Sequence, residues 1–210
     1  LSGAEERKRL GLGPRRLLPA ADDSAGRQSR NMVRGEDRLR VSMVIGTAPD
    51  QTVIAPGVLR RSWTDNGRNY FQYDSDGPTS FGATVYSARY AVREDEWTSR
   101  AGQRVALSIY YHPGHEYTLE RQMAGMKASL AYYTAQFGPY PSNHLRIAEF
   151  PRYGGFGVAH RYMIGFSEDV FIGRVKDDQF DTPFYGTAHE VAHQWWGGEV
   201  RGAMVLGHGF

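Results

Sequence analysis

The chain has 210 residues, 40% of them hydrophobic, enough to close a sizeable core in one or two domains. Its net charge of +2 supplies no general attraction to nucleic acid, which is therefore not an expected partner. The absence of cysteine excludes disulfides, thiolate catalysis and cysteine-held metals, and a mean hydropathy of −0.54, with no apolar run approaching about 18 residues, argues against a membrane-spanning helix.

The charge is uneven along the chain. Residues 1–40 hold 10 Lys+Arg against 6 Asp+Glu, leaving 15 against 17 for the remainder. Residues 1–38 are rich in Arg, Gly, Pro, Asp and Ser without sustained periodicity, and read as a basic linker or loosely ordered arm. Within it, "RKRLGLGPRR" reads as solvated linker rather than a nucleic-acid or lipid contact. The opening "LSGAEERKRL" has neither an initiator Met nor the apolar segment of a signal peptide, and is expected to be cut from a longer chain.

From Leu39 the pattern changes to period two, with Leu39, Val41, Met43 and Ile45 on one face of a strand. Further strands are expected at "TVIA", "NYFQYD", "TVYSARYAV" and "VALSIYY", separated by the turn-forming "APG", "TDNG" and "DSDG". Residues 39–115 are thus expected to form a β-rich region, its tyrosines and phenylalanines packing between strands. His112 and His115 flank a Pro-Gly turn and read as surface turn residues rather than a second metal site.

The period then switches to that of a helix. Leu119, Met123, Met126, Leu130, Tyr133 and Phe137 form one stripe, ended by Gly138 and Pro139, on a core-facing helix. The methionines need no cofactor to explain them. "HLRIAEFPRYGGFG" reads as a strand entering a glycine-rich loop, and "YMIGFSED" as a second strand. Gly154 and Gly155 lack the Lys-Ser/Thr of a phosphate loop; they are candidate substrate-binding positions where backbone approaches a ligand, an ordinary turn being the alternative.

The last motif is "HEVAHQWWGG", residues 189–198. On a helix each residue advances about 100°, so His189 and His193 lie about 40° apart and Glu190 about 60° beyond His193. Thr182 is placed to cap this helix, Pro183 fits its first position, and Gly197-Gly198 offers a stop. Phe184, Ala188, Val191 and Trp195 make an apolar stripe on the other side, so the polar trio faces away from it. Two imidazoles and a carboxylate converging on one face need partners that a dry core rarely supplies. Zinc is such a partner: it accepts imidazole nitrogens, and the carboxylate can act as base toward water activated by the metal. Glu199, six residues after His193, resembles in its spacing the third ligand of the metzincins, although Trp196 stands where that family has glycine, and His208 is another candidate third ligand within the chain.

"HEVAHQWW" resembles the motif of the gluzincin zinc aminopeptidases, the family that includes the membrane alanyl aminopeptidases. The order of elements before it is similar to that family's β saddle followed by the first half of a thermolysin-like zincin catalytic domain. The resemblance implies an α+β fold with a saddle over 39–115 and the N-terminal half of a metallopeptidase domain over 116–210. It implies zinc ligation by His189 and His193, a general-base role for Glu190, and a peptide substrate. "YSARYAVRED", "FGPYP" and "RIAEFPRY" resemble, more narrowly, peptidase domains fused to bacterial ABC-transporter-type permeases, implying a membrane-attached parent chain with the peptidase outside the cytoplasm. Two departures are visible. The family's third ligand, a Glu about nineteen positions after the second His, would fall just past Phe210, so the chain alone is expected to turn over little. The family's Gly-x-Met-Glu-Asn loop is replaced by "GGFGVAH", without the Glu that holds a substrate α-amine. A non-catalytic peptide-binding or transporter-associated module that retains the motif is the alternative reading.

Overall fold

The computed structural model describes residues 4–12, 22, 38–80, 84–151, 156–173, 175 and 180–196. The chain divides into two units, residues 1–36 with 201–210, and residues 37–200. In the first unit, six residues of the stretch expected to be loosely ordered form a helix, α1 (Ala4–Arg9). Its sequence AEERKR runs from acidic to basic, which complements the helix dipole.

The second unit opens with strands. These are β1 (Arg38–Leu39), β2 (Ser42–Thr47), β3 (Thr52–Ile54), β4 (Val58–Asp65), β5 (Arg68–Asp74), β6 (Thr79–Ser80), β7 (Tyr86–Ala88), β8 (Ala91–Thr98) and β9 (Arg104–Tyr111). A single 3₁₀ turn (Glu116–Thr118) leads into α2 (Leu119–Phe137), followed by β10 (His144–Phe150), β11 (Gly157–His160), β12 (Met163–Ser167), α3 (Glu168–Ile172) and α4 (Thr182–Ala192).

Strand β4 was not foreseen, because VLRRSWTD exposes most of its side chains and shows no apolar alternation. Its partner explains it. Asp65 faces Arg68 across Asn66 and Gly67, whose φ values of 47° and 71° make the two-residue turn that matches the twist of a hairpin. The resulting sheet has the order β2-β5-β4, while β3 pairs with β7 and β1 with β6. The expected single strand over "TVYSARYAV" is two strands, since β7 pairs with β3 and β8 with β9.

The main sheet has the order β11-β12-β10-β9-β8. Its centre is parallel: β10 pairs in parallel with both β9 and β12, and α2 makes the crossover between β9 and β10. β8 and β11 are antiparallel outer strands. The sheet therefore takes strands from both sides of residue 115.

Two faces of this sheet are covered. Val105, Leu107, Ile109, Leu145, Ile147 and Ile164 pack against Leu119, Met123, Met126 and Leu130 of α2 and against Val191 and Trp195 at α4. The stripe expected on α2 is the one that is buried, except that Tyr133 is only partly covered and Phe137 is exposed. On the opposite face, Ile54 of β3 meets Ala148 and Met163. The mixture of sheet and helix is the expected α+β class.

Candidate metal centre

Helix α4 starts one residue earlier in its capping than expected. The cap is Asp181, not Thr182: its Oδ1 accepts the Phe184 N–H at 3.0 Å, and its Oδ2 accepts from Arg121 Nη1 of α2 at 2.7 Å. Asp181 wins because one carboxylate serves the helix end and a neighbouring guanidinium together. Pro183 therefore takes the second helical position rather than the first, still within the turn where its missing N–H costs nothing. The helix ends at Ala192, with His193 as the C-cap, rather than running to Gly197-Gly198, which lie outside the described residues.

α4 lies close against α2. A Cβ on Gly125 of α2 would sit 3.0 Å from both the Phe184 carbonyl oxygen and the Thr187 Cβ, so the glycine sets how near the two helices come. Tyr133 Oη donates to the Ala188 carbonyl at 3.3 Å and Trp195 Nε1 to that of Gly138 at 3.3 Å. These contacts hold the helix that carries the motif.

On that helix the structure brings together all three residues expected at the metal. His189, Glu190 and His193 each present a ligand atom, and these atoms lie within 4.8 Å of one another; it is the one such group of three among the described residues. The two ring centroids are 4.9 Å apart with planes at 88°. His193 Nδ1 is 3.0 Å from the Trp196 carbonyl oxygen. A carbonyl can only accept, so Nδ1 carries the proton and Nε2 keeps its lone pair for a ligand. The two imidazole nitrogens suit zinc, and the carboxylate beside them lies within reach of water at such a metal.

Glu190 is more enclosed than the helix face alone implies, being buried at 8% exposure while His189 is exposed. Burial raises its pKa above the ordinary carboxylate range, against the opposing pull of His193, His189 and a hydrogen bond from the Ala159 backbone. What encloses it is β11. A Cβ on Gly157 would lie 2.5 Å from the Phe166 ring and 3.0 Å from Glu190 Oε1, so only glycine lets strand and carboxylate approach this closely. β11 was missed in the sequence because GVAH is short, only partly buried and opens directly on the glycine-rich GGF stretch.

Outside this centre, the turn histidines are more engaged than expected. His115 Nδ1 meets the carboxylate of Glu149, which is fully buried, and the His112 N–H donates to its other oxygen at 2.6 Å. Gly154 and Gly155, with Glu199 and His208, lie outside the described residues.

No protein-family model matches the sequence, and no curated protein matches it. Solved structures do. The fold resembles that of the M1 zinc metallopeptidases. A mutant M1 zinc metallopeptidase from Deinococcus radiodurans aligns at TM-score 0.58 and 15% identity, over 78% of this chain and 36% of that one. A mutant two-domain M1 zinc metallopeptidase bound to L-arginine aligns equally, over 35% of its length. Legionella pneumophila aminopeptidase A, in complex with aspartic acid, aligns at TM-score 0.60 and 13% identity, over 74% of this chain and 19% of that one. The chain thus spans little more than a third of these proteins at most, and at such identities the likeness is one of fold.

Proposed function

We propose that the protein is a zinc-dependent metallopeptidase of aminopeptidase-like type that hydrolyses peptide bonds. The observation that carries this reading is the convergence of His189, His193 and Glu190 within 4.8 Å, on a helix of an M1-like fold. When bound, zinc supplies Lewis-acid polarisation of the scissile carbonyl and of water. His189 and His193 hold it through ring nitrogens, the Trp196 carbonyl keeping the second ring in the binding tautomer. Glu190 takes a proton from water as its oxygen adds to the carbonyl carbon, and returns that proton to the leaving amine as the C–N bond breaks. Its burial favours the protonated carboxyl it passes through.

The same reading assigns a third protein ligand outside the described residues and gives the Gly154-Gly155 loop, which precedes β11, a role in backbone approach to the peptide. The motifs resembling permease-fused peptidases extend it to a membrane-attached protein acting on extracytoplasmic peptides. Among the described residues no helix is long and apolar enough to cross a membrane.

Metal content and hydrolysis of aminoacyl-amide substrates by the intact protein test the proposal. Glu190→Gln is isosteric and is expected to keep zinc while losing about 10²- to 10⁴-fold in kcat. Full hydrolysis by that variant refutes the assigned base. A wild type that holds zinc and hydrolyses nothing leaves the peptide-binding module.

A further inference from the structure

Gln194 follows the second histidine of the motif and is buried at 4% exposure, and its side-chain amide bonds to backbone rather than to an imidazole. Its Oε1 accepts the Tyr162 N–H at 2.8 Å, and its Nε2 donates to the His160 carbonyl at 3.1 Å. A C=O and an N–H two residues apart are what an extended strand offers to a neighbouring strand. The amide of Gln194 occupies that place, and so ties the end of α4 to the turn between β11 and β12.

That turn needs a tie. Tyr162 has φ of 60°, a left-handed conformation that costs a non-glycine residue about 1–2 kcal/mol. It is nonetheless almost fully buried, with its carbonyl accepting the Arg146 N–H at 3.1 Å. Upstream of the turn, the two antiparallel strands are in register from His160 opposite Met163 back to Gly157 opposite Phe166. The position of the turn therefore sets where Ala159 and Gly157 stand, and these are the two residues of β11 that meet Glu190.

We propose that Gln194 is a positioning residue that clamps β11 against Glu190, holding the carboxylate in its working orientation without touching the metal. The catalytic half of this inference rests on the peptidase reading; the clamp itself does not. Misplacement of a reacting group by about 1 Å is enough to cost about a hundredfold in rate.

The test replaces Gln194 in the intact protein and reads zinc affinity, backbone hydrogen exchange and hydrolysis together. Gln194→Met keeps the length and removes both hydrogen bonds. It is expected to bind zinc within about threefold of wild type, since the ligands stay on the helix, while the Tyr162 and Ala159 amides exchange at least about tenfold faster. For a peptidase, kcat is expected to fall by about tenfold or more with a smaller change in KM. Gln194→Glu retains the acceptor for Tyr162 but sets a buried carboxylate oxygen against the His160 carbonyl, and is expected to free the turn at least as much as Gln194→Met. Unchanged exchange at both amides overturns the clamp, as does a zinc affinity that falls in step with activity. Should Gln194→Met not fold, wild-type exchange decides: a Tyr162 amide as fast as an unstructured chain overturns it, and strong protection supports it. A wild type without hydrolysis removes the peptidase reading and leaves the exchange result standing.

Discussion

His144 gives the protein a stability that weakens in acid. The residue begins β10, with Nε2 3.1 Å from the Gly57 carbonyl oxygen and Nδ1 3.2 Å from Ser142 Oγ and Asn143 Oδ1. Its pKa is lowered from 6.5 to about 4, first by burial and then by the nearby Arg146 charge, against the Gly57 carbonyl and Asp76. Below pH 6.5 the unfolded chain takes up a proton on this ring, while the folded protein refuses it until about pH 4. The unfolded state binds more protons throughout that window, so stability falls as pH drops from 6.5 to 4. A shift of this size, at about 1.4 kcal/mol per unit, corresponds to about 3 kcal/mol. His144→Gln keeps a donor for Gly57 and cannot titrate. Urea unfolding of both proteins from pH 7.5 to pH 4 separates the contribution of this ring from other acid effects. Relative to the variant, the wild type is expected to lose about 3 kcal/mol across the window. A stability difference independent of pH, or an imidazole that titrates near 6.5 by NMR, refutes the reasoning.

Three further outcomes are expected. Asp181→Ala removes the cap of α4 and its partly exposed pairing with Arg121, and is expected to cost about 1–2 kcal/mol in urea unfolding, most of it from the cap. Gly125→Val forces a side chain into the Phe184 carbonyl and Thr187; overpacking of this kind costs about 1–3 kcal/mol, and moving α4 should weaken zinc binding, read by competition with a chelator. Glu199→Ala and His208→Ala are expected to leave zinc affinity nearly unchanged, whereas a loss of more than about tenfold in either, about 1.4 kcal/mol, assigns the third ligand to that residue.

Both long helices were legible because helical hydrogen bonding is local and its 3.6-residue period is written in neighbouring residues. Leu119, Met123, Met126 and Leu130 marked the buried stripe of α2, and Gly138 its end, where φ is 104°. His189 and His193 converge for the same reason, since a spacing of four within one helix brings two rings together wherever that helix lies. The cap at Asp181 was misplaced by one residue because its choice depends on Arg121, sixty positions away.

The surroundings of Glu190 depended on pairings no short window contains. β11 is an outer strand that exists through its register with β12, and it reaches the carboxylate because Gly157 has no side chain. β4 is a strand because of the turn that pairs it with β5, and β8 and β9 join β10 across an intervening helix. The amino-acid sequence by itself determined the two imidazoles, the adjacent carboxylate and the helix that carries them, because all are separated by a single helical turn. Only the tertiary structure decided that the carboxylate is buried and which strand closes over it, because strand pairing joins residues remote in sequence and has no local period to announce it.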